Sequence, residues 1–200
     1  MENTGMGATI NVEVTSKTNA KDKPVETKAP IVKTLWDTTV TDKDGNLKHH
    51  EVNENLVTTQ GLTSLLDVMF MGGDQWANWY VVLTDGAGDS ATASSTYAVP
   101  IYTEVTDITN ATRPAYTGVQ TTTSITNTAS KAVFTINTGS VTSILGGALV
   151  GGTTDADVIG NTASSGAILY CAIDFASPVA VVASDIVSIA ITINSYDYDV

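Results

Sequence analysis

The residues with the most versatile chemistry are two adjacent histidines, His49 and His50. They fall in a segment predicted to be a strand, where neighbouring side chains point to opposite faces, so they cannot chelate one metal ion together. The sequence has no Gly-x-Ser-x-Gly motif, and no histidine follows residue 50 to complete a serine triad. We therefore interpret both histidines as exposed strand residues.

Aspartates supply the candidate metal ligands. Residues 42–46, Asp-Lys-Asp-Gly-Asn, are similar to the start of a calcium loop, but that loop requires Gly at its sixth position and Glu at its twelfth, and neither is present. Asp44-Gly45 predicts a tight turn instead, because glycine accepts a positive φ. A loose calcium site stays open at two further pairs: Asp155 with Asp157, and Asp197 with Asp199.

The single cysteine, Cys171, lies in the apolar run 167–173. Such a residue is usually a small buried hydrophobe, and one cysteine cannot form an internal disulfide. Phosphate loops, dinucleotide fingerprints and cysteine clusters are missing from the sequence. We expect a protein that is not an enzyme, has no catalytic residues and uses no cofactor. Paired carboxylates of the glycosidase kind are the alternative that one sequence leaves open.

Composition favours strands over helices. About one residue in six is threonine, and β-branched residues suit pleated sheets. Hydrophobic residues make up 42% of the 200-residue chain, enough to fill the core of one ordinary domain. No stretch approaches 18 apolar residues and no signal peptide is visible, so we expect neither a membrane span nor secretion.

The net charge of −12 is unevenly placed along the chain. Residues 1–48 carry seven lysines and seven acidic side chains, whereas the rest of the chain has two basic residues, Arg113 and Lys131, against fourteen acids. Because a body this acidic repels the phosphate backbone of nucleic acids, we expect no direct binding to nucleic acid.

Short strand patterns separated by turns fill residues 34–200, the predicted body. One helix is predicted between Thr58 or Thr59 and Gly72-Gly73, with an apolar face that we expect to be core. The fold class is therefore mainly β: a β-sandwich or jelly-roll-like body with one short helix and an extended N-terminal arm. The predicted strands are 35–40, 47–52, 79–84, 101–106, 119–126, 132–137, 146–150, 167–175 and 186–194, and the helix face is Leu62, Leu65, Leu66, Met69 and Phe70.

Residues 1–33 are predicted to form the arm. Residues 8–15 alternate, with three apolar side chains on one side of a short strand, and a polar stretch with several lysines follows. A single apolar edge this short needs a partner, so we expect it to add a strand to a neighbouring protein or to lie along its surface. The candidate partner-binding residues are Ile10, Val12, Val14, Lys17, Lys21 and Lys23.

Several stretches resemble a group of small structural proteins encoded in tailed-phage genomes, where they accompany head genes. The most specific are residues 42–48, Asp-Lys-Asp-Gly-Asn-Leu-Lys, and 79–83, Trp-Tyr-Val-Val-Leu. The resemblance covers roughly residues 36–194 and excludes the arm. This chain has Ser184-Asp185 where the family pattern has Gly-Asp. The other similar stretches are 54–62, 65–68, 113–115, 127–134, 147–150 and 169–175.

The resemblance implies a structural protein of a phage particle, without catalytic residues. We expect a capsid decoration (cement) protein that binds the major capsid protein or other virion proteins, is assembled in the host cytoplasm and is located in the virion. The alternatives are a tail or neck component and a carbohydrate-binding module of a tail fibre, which Trp36, Trp76 and Trp79 would serve. Closed symmetric assembly is the default for protein oligomers, and capsids offer two-fold and three-fold axes, so we expect a homo-oligomer, either a dimer or a trimer.

Overall fold

A computed structural model describes residues 31–152, 155–162 and 166–196. Within these residues the protein is mainly β, as predicted, with two antiparallel sheets and one short helix. The first strand begins at Ile31, three residues before the predicted start of the body at residue 34. Residues 31–33 belong to the sheet because their backbone pairs with residues 194–196 of the last strand. The predicted arm therefore contains the first residues of the body.

The first sheet contains six strands. They are β1 Ile31–Thr41, β2 Leu47–Glu54, β5 Val119–Gln120, β6 Ser124–Thr126, β7 Ala132–Thr135 and β10 Ile186–Tyr196. The order is β2-β1-β10-β6-β5, and β7 also pairs with β10. Strands β1 and β10 pair without interruption from Ile31↔Tyr196 to Thr41↔Ile186. Every second residue of β1 from Thr34 to Val40 is buried, as a strand with one face on a core requires.

The second sheet contains four strands and is also antiparallel. They are β3 Leu56–Val57, β4 Asn78–Asp85, β8 Ser143–Gly152 and β9 Ala167–Ala180, in the order β3-β9-β8-β4. Nearly every residue of β8 is buried, because one face of this sheet covers the first sheet and the other is covered by loops and the helix. Side chains of both sheets meet in one apolar cluster that includes Trp36, Leu83 and Ile189, so the two sheets form a sandwich.

The predicted turn between β1 and β2 is confirmed. Gly45 has a φ of 84°, the left-handed conformation that glycine adopts without strain. The Asp42 carboxylate accepts the backbone N–H groups of Asp44 and Asn46, each at 2.9 Å. A hydrogen bond from the Asn46 side chain, followed by these backbone hydrogen bonds, lowers the pKa of Asp42. The carboxylate thus caps a turn, which is why an acidic residue stands here.

A long connection closes one side of the sandwich. Residues 103–116 pair with the outer edge of β4 at Glu104 and Ala115, and with residue 136, just beyond β7 of the other sheet, at Ile108. The prediction of a strand at 101–106 is wrong, because only the bridge at Glu104 forms there. The connection covers a sheet edge that would otherwise present unpaired backbone groups.

Two tryptophans fit over glycines of β8. A Cβ atom at Gly151 would lie 2.9 Å from the ring of Trp79, its partner across β4 and β8. A Cβ atom at Gly147 would lie 2.9 Å from the ring of Trp36, which reaches over from the first sheet. Both contacts are too short for any residue with a side chain, so glycine is required by space at these two positions.

The helix α1, Thr59–Leu66, continues as a π-helical segment, Asp67–Met71. Its ends are as predicted: the Thr58 hydroxyl accepts the Gly61 N–H at 3.0 Å, and Gly72, with a φ of 74°, ends it. The prediction that its apolar face is core is wrong, since Leu66 is 55% exposed and Phe70 is 72% exposed. The helix packs instead through Gly61, where a Cβ atom would lie 2.3 Å from the Tyr170 carbonyl oxygen. The large apolar residues are thereby turned outward.

Candidate functional site

The most elaborate polar arrangement in the described residues surrounds Arg113, which is 3% exposed. Its guanidinium forms a bidentate pair with Glu104, with Nε to Oε1 at 2.8 Å and Nη2 to Oε2 at 2.6 Å. The remaining donors reach the Tyr97 hydroxyl at 2.8 Å and the carbonyl oxygens of Ala156 at 2.8 Å and Asn161 at 2.9 Å. We call these five residues the Arg113 network.

The Arg113 network leaves the guanidinium no donor for a ligand. A guanidinium has five N–H groups, and all five are used by these contacts. Burial alone would lower the pKa of Arg113, but the hydrogen bonds and charge of Glu104 outweigh it and raise that pKa. Glu104 also accepts the Gly160 N–H at 2.8 Å. The network therefore fastens the connection 97–113 to residues 156–161.

Two aspartates fasten other loops in the same manner. Asp107 accepts the backbone N–H of Thr138 at 3.0 Å, the Thr138 hydroxyl at 2.9 Å and the Ser140 N–H at 2.7 Å. The Thr138 N–H contributes most to holding the pKa of Asp107 well below its ordinary value. Asp185, 1% exposed, accepts the Val182 N–H at 2.9 Å and forms an ion pair with Lys48.

The residue before Asp185 has a strained backbone. Ser184 has a φ of 70°, in the left-handed region that favours glycine. This conformation gives a physical reason for glycine to be favoured at this position. Replacing the serine with glycine would therefore relieve strain in the turn that aims Asp185 at Lys48.

The histidines lie on opposite faces of β2, as predicted. His50 Nε2 is 3.0 Å from Asp37 Oδ1, and His49 Nε2 is 3.3 Å from Glu51 Oε2. The prediction that both are exposed is correct for His50 alone, because the His49 ring packs against Phe175 with centroids 5.8 Å apart and is half-buried. The two rings thus serve separate contacts and share no metal site.

Cys171 is fully buried, as predicted. Burial raises the pKa of its thiol, because the charged thiolate would lose its hydration in the core. A thiol that remains protonated and has no contact with solvent is a poor nucleophile. The cysteine is therefore a packing residue of β9.

The candidate calcium ligands are only partly within the described residues. No group of three or more His, Cys, Asp or Glu side chains that could hold a metal ion is found among residues 31–152, 155–162 and 166–196. Asp155 and Asp157 are therefore not joined by a third ligand there. Asp197 and Asp199 lie outside the described residues.

The three tryptophans do not form one exposed platform. Trp36 is 1% exposed in the core. Trp79 is half-buried and stacks edge-on against Tyr170, with ring centroids 5.8 Å apart at 80°. Trp76 is half-buried and donates its indole N–H to the Ser64 hydroxyl at 2.8 Å. Of the residues that motivated the carbohydrate-binding alternative, Trp36 is thus unable to stack on a sugar.

The surface around α1 carries a group of exposed apolar side chains. Five side chains, which we call the apolar helix face, are 46% to 79% exposed: Leu62, Leu66, Met69, Phe70 and Met71. Beside the helix, at one end of the sandwich, lies a cavity of about 610 Å³ that we call the end cavity. In soluble proteins most large apolar side chains are buried, and a large exposed apolar patch marks a surface that contacts another molecule.

The predicted partner-binding residues of the arm lie outside the described residues: Ile10, Val12, Val14, Lys17, Lys21 and Lys23. Sequence reasoning missed the Arg113 network. Its signal was present, since Arg113 is one of only two basic residues after residue 48. An isolated arginine in an acidic, strand-rich chain is a candidate for a buried ion pair. Its partner Glu104 had no such signal.

No helix within the described residues is long and apolar enough to cross a membrane.

Comparison with known proteins adds no relative. No protein-family model, no curated protein and no solved structure matches this chain.

Proposed function

We propose that this protein is a non-enzymatic structural component of a tailed-phage virion, a decoration protein that binds the head lattice in many copies. The observation that carries the proposal is the use of charge in the body. The best-formed buried cation, Arg113, has every donor engaged in fastening loops, and Asp107 and Asp185 act similarly. These charged side chains stabilise the fold, which is the role expected in a structural protein rather than in an enzyme. The family resemblance supplies the setting.

The proposed contacts with the particle use the arm and the apolar helix face. The lysines of the arm complement an acidic neighbour, and its alternating apolar residues can add a strand to an exposed sheet edge. The major capsid protein is the proposed partner. Symmetric axes of a capsid favour a bound dimer or trimer, so light scattering of the isolated protein should exceed the 20.8 kDa of one chain.

Copy number tests the proposal. Particles that carry this protein would be purified and its band intensity compared with that of the major capsid protein. Hundreds of copies per particle support a head decoration protein. A dozen copies or fewer contradict it and favour the tail or neck alternative, and a map of the particle by electron microscopy would place the density in either case.

Removal of the arm tests the mode of attachment. A variant lacking residues 1–30 keeps all of β1 and should still fold. We expect it to bind particles much more weakly than the full chain, and the binding of the full chain to weaken as salt rises. Full occupancy of particles by the shortened protein would contradict attachment through the arm.

A further inference from the structure

The end cavity lies between the open ends of the two sheets. Trp79 and Tyr170 line it from the second sheet, and Ile125 and Ile193 line it from the first. Leu65 of α1 and Tyr116 are also part of its lining. Ile125 is 41% exposed, so the cavity is open to solvent. The space between the two sheets is thus left unfilled at this end of the sandwich.

The lining is mostly apolar and aromatic, and the hydroxyl of Tyr116, one of its polar groups, is engaged within the protein. The Tyr116 hydroxyl donates to the Ile125 carbonyl oxygen at 3.1 Å. Burial raises the pKa of Tyr116 to about 12. Water in such a cavity would have few hydrogen-bonding partners, whereas aliphatic side chains would gain contact with the rings. The complementary occupant is therefore an apolar stretch of chain.

Strand β1 starts near the level of this cavity, at Ile31, which follows the undescribed residues 1–30 in the chain. Ile193, which lines the cavity, pairs with Thr34 of β1, and Ile31 is three residues further along the same strand. At about 3.3 Å per residue, the chain leaves β1 about 10 Å from the level of Ile193. Residues 16–30 separate this point from residues 8–15 and can span up to about 50 Å when extended. The segment 8–15 can therefore reach the end cavity of its own chain.

The pattern of residues 8–15, Ala-Thr-Ile-Asn-Val-Glu-Val-Thr, matches the cavity. As a strand it presents Ile10, Val12 and Val14 on one side and Asn11 and Glu13 on the other. One side would enter the apolar cavity while the other remains in water. A linker of 15 residues keeps the segment at a high effective concentration near the cavity, which favours its own chain over a second copy.

We propose that residues 8–15 occupy the end cavity of the same chain when the protein is not bound to a particle, with Ile10, Val12 and Val14 directed inward. This placement differs from the expectation that the arm requires a neighbouring protein, because the body itself provides an acceptor. It is independent of the proposed function, since it concerns the isolated full-length protein.

A spin label at residue 9 tests the placement. Cys171 is fully buried, so a Thr9→Cys variant of the full chain can be labelled at the new thiol alone. We expect the label to broaden the amide resonances of Ala77 and Gly118, which line the cavity. Gly45 should be unaffected, because the turn lies beyond Thr41, about 33 Å along β1 from Ile31. Absence of broadening at the cavity overturns the proposal.

Mixing experiments identify the source of the segment. Spin-labelled chains without the isotope are mixed with isotope-labelled chains that carry no spin label. If the cavity resonances broaden only when both labels are on one chain, the segment belongs to the same chain, as proposed. Broadening in the mixed sample shows that a second copy donates the segment and overturns the proposal.

Matched variants test the contact itself. Val12→Asp places a charge on the inward side and should abolish the broadening, whereas Asn11→Asp places the same charge on the outward side and should retain it. In the body, Ile125→Asp should abolish it and Val133→Asp should not, although the two residues are 41% and 44% exposed. Equal behaviour within either pair would overturn the proposed orientation.

Discussion

The Arg113 network and the apolar helix face use side chains in opposite ways. In the first region a charged residue is 3% exposed and held by five hydrogen bonds; in the second, Phe70 is 72% exposed and Met71 is 79% exposed. Burying a charge is favourable only when it is fully paired, and exposing large apolar groups is tolerated only where contact is useful. The first region therefore stabilises the fold, whereas the second leaves large apolar side chains in contact with solvent.

The largest expected effect is the loss of Arg113. Arg113→Met leaves the Glu104 carboxylate buried without its cation, and we expect the free energy of unfolding to fall by about 3–5 kcal/mol. Urea denaturation followed by fluorescence measures it. Lys43→Ala is the control, because the Lys43–Asp44 pair is 69% and 63% exposed and contributes about 0–1 kcal/mol. A loss below about 1 kcal/mol for Arg113→Met would show that the network does not stabilise the fold more than an exposed ion pair does.

Asp107 should make stability depend on acid pH. Its pKa lies below the ordinary value of 3.8 in the folded protein, so its contribution is present above that pH and is lost as the pH falls through the folded pKa. Asp107→Asn should therefore lower the melting temperature at pH 7, and the difference from the unaltered protein should shrink below about pH 4. A difference that stays constant down to about pH 2 would contradict this role.

Ser184→Gly should stabilise the protein by about 0.5–1 kcal/mol, because glycine relieves the left-handed backbone at a small cost in unfolded-state entropy. The melting temperature measures the gain. Ser188→Gly is the control: it lies within β10, where glycine weakens a strand and should destabilise. If both variants destabilise equally, the turn before Asp185 is not strained.

The smallest effect on stability is expected at the apolar helix face. Phe70→Ser should change the free energy of unfolding by no more than about 0.5 kcal/mol, whereas Phe134→Ala, at 1% exposure, should cost about 3–5 kcal/mol. Sedimentation with particles that lack the protein should then show weaker binding of Phe70→Ser. A large loss of stability would mean that the helix face is part of the core.

Sequence patterns predicted most strands well because alternation and turn residues act locally. The β1–β2 hairpin follows from Asp44-Gly45, and the helix ends follow from Thr58 and Gly72. The direction of the helix was predicted incorrectly because it depends on a contact distant in sequence, that of Gly61 with Tyr170. Hydrophobicity in the sequence points to the large apolar side chains of the helix. The side of the helix that packs is instead set by the glycine at which the two backbones come closest.

The partners of Arg113 were beyond sequence reasoning for a related reason. The members of the Arg113 network come from positions 97, 104, 113, 156 and 161, which no local pattern connects. The end cavity also depends on residues from separate strands and loops. A local sequence pattern specifies individual strands and helices. The Arg113 network and the end cavity are instead formed by residues that are distant from one another in the sequence.

The two glycines beneath the tryptophans have a consequence for how the chain folds. Antiparallel strands can pair out of register, and a slip of two residues keeps each side chain on its usual face. Such a slip along β8 would place a side chain where Trp79 requires Gly151, and another where Trp36 requires Gly147. Two steric checks four residues apart therefore reject the misaligned pairings that alternation alone would accept: the Trp79 contact acts when β4 and β8 pair, and the Trp36 contact acts when the two sheets pack together.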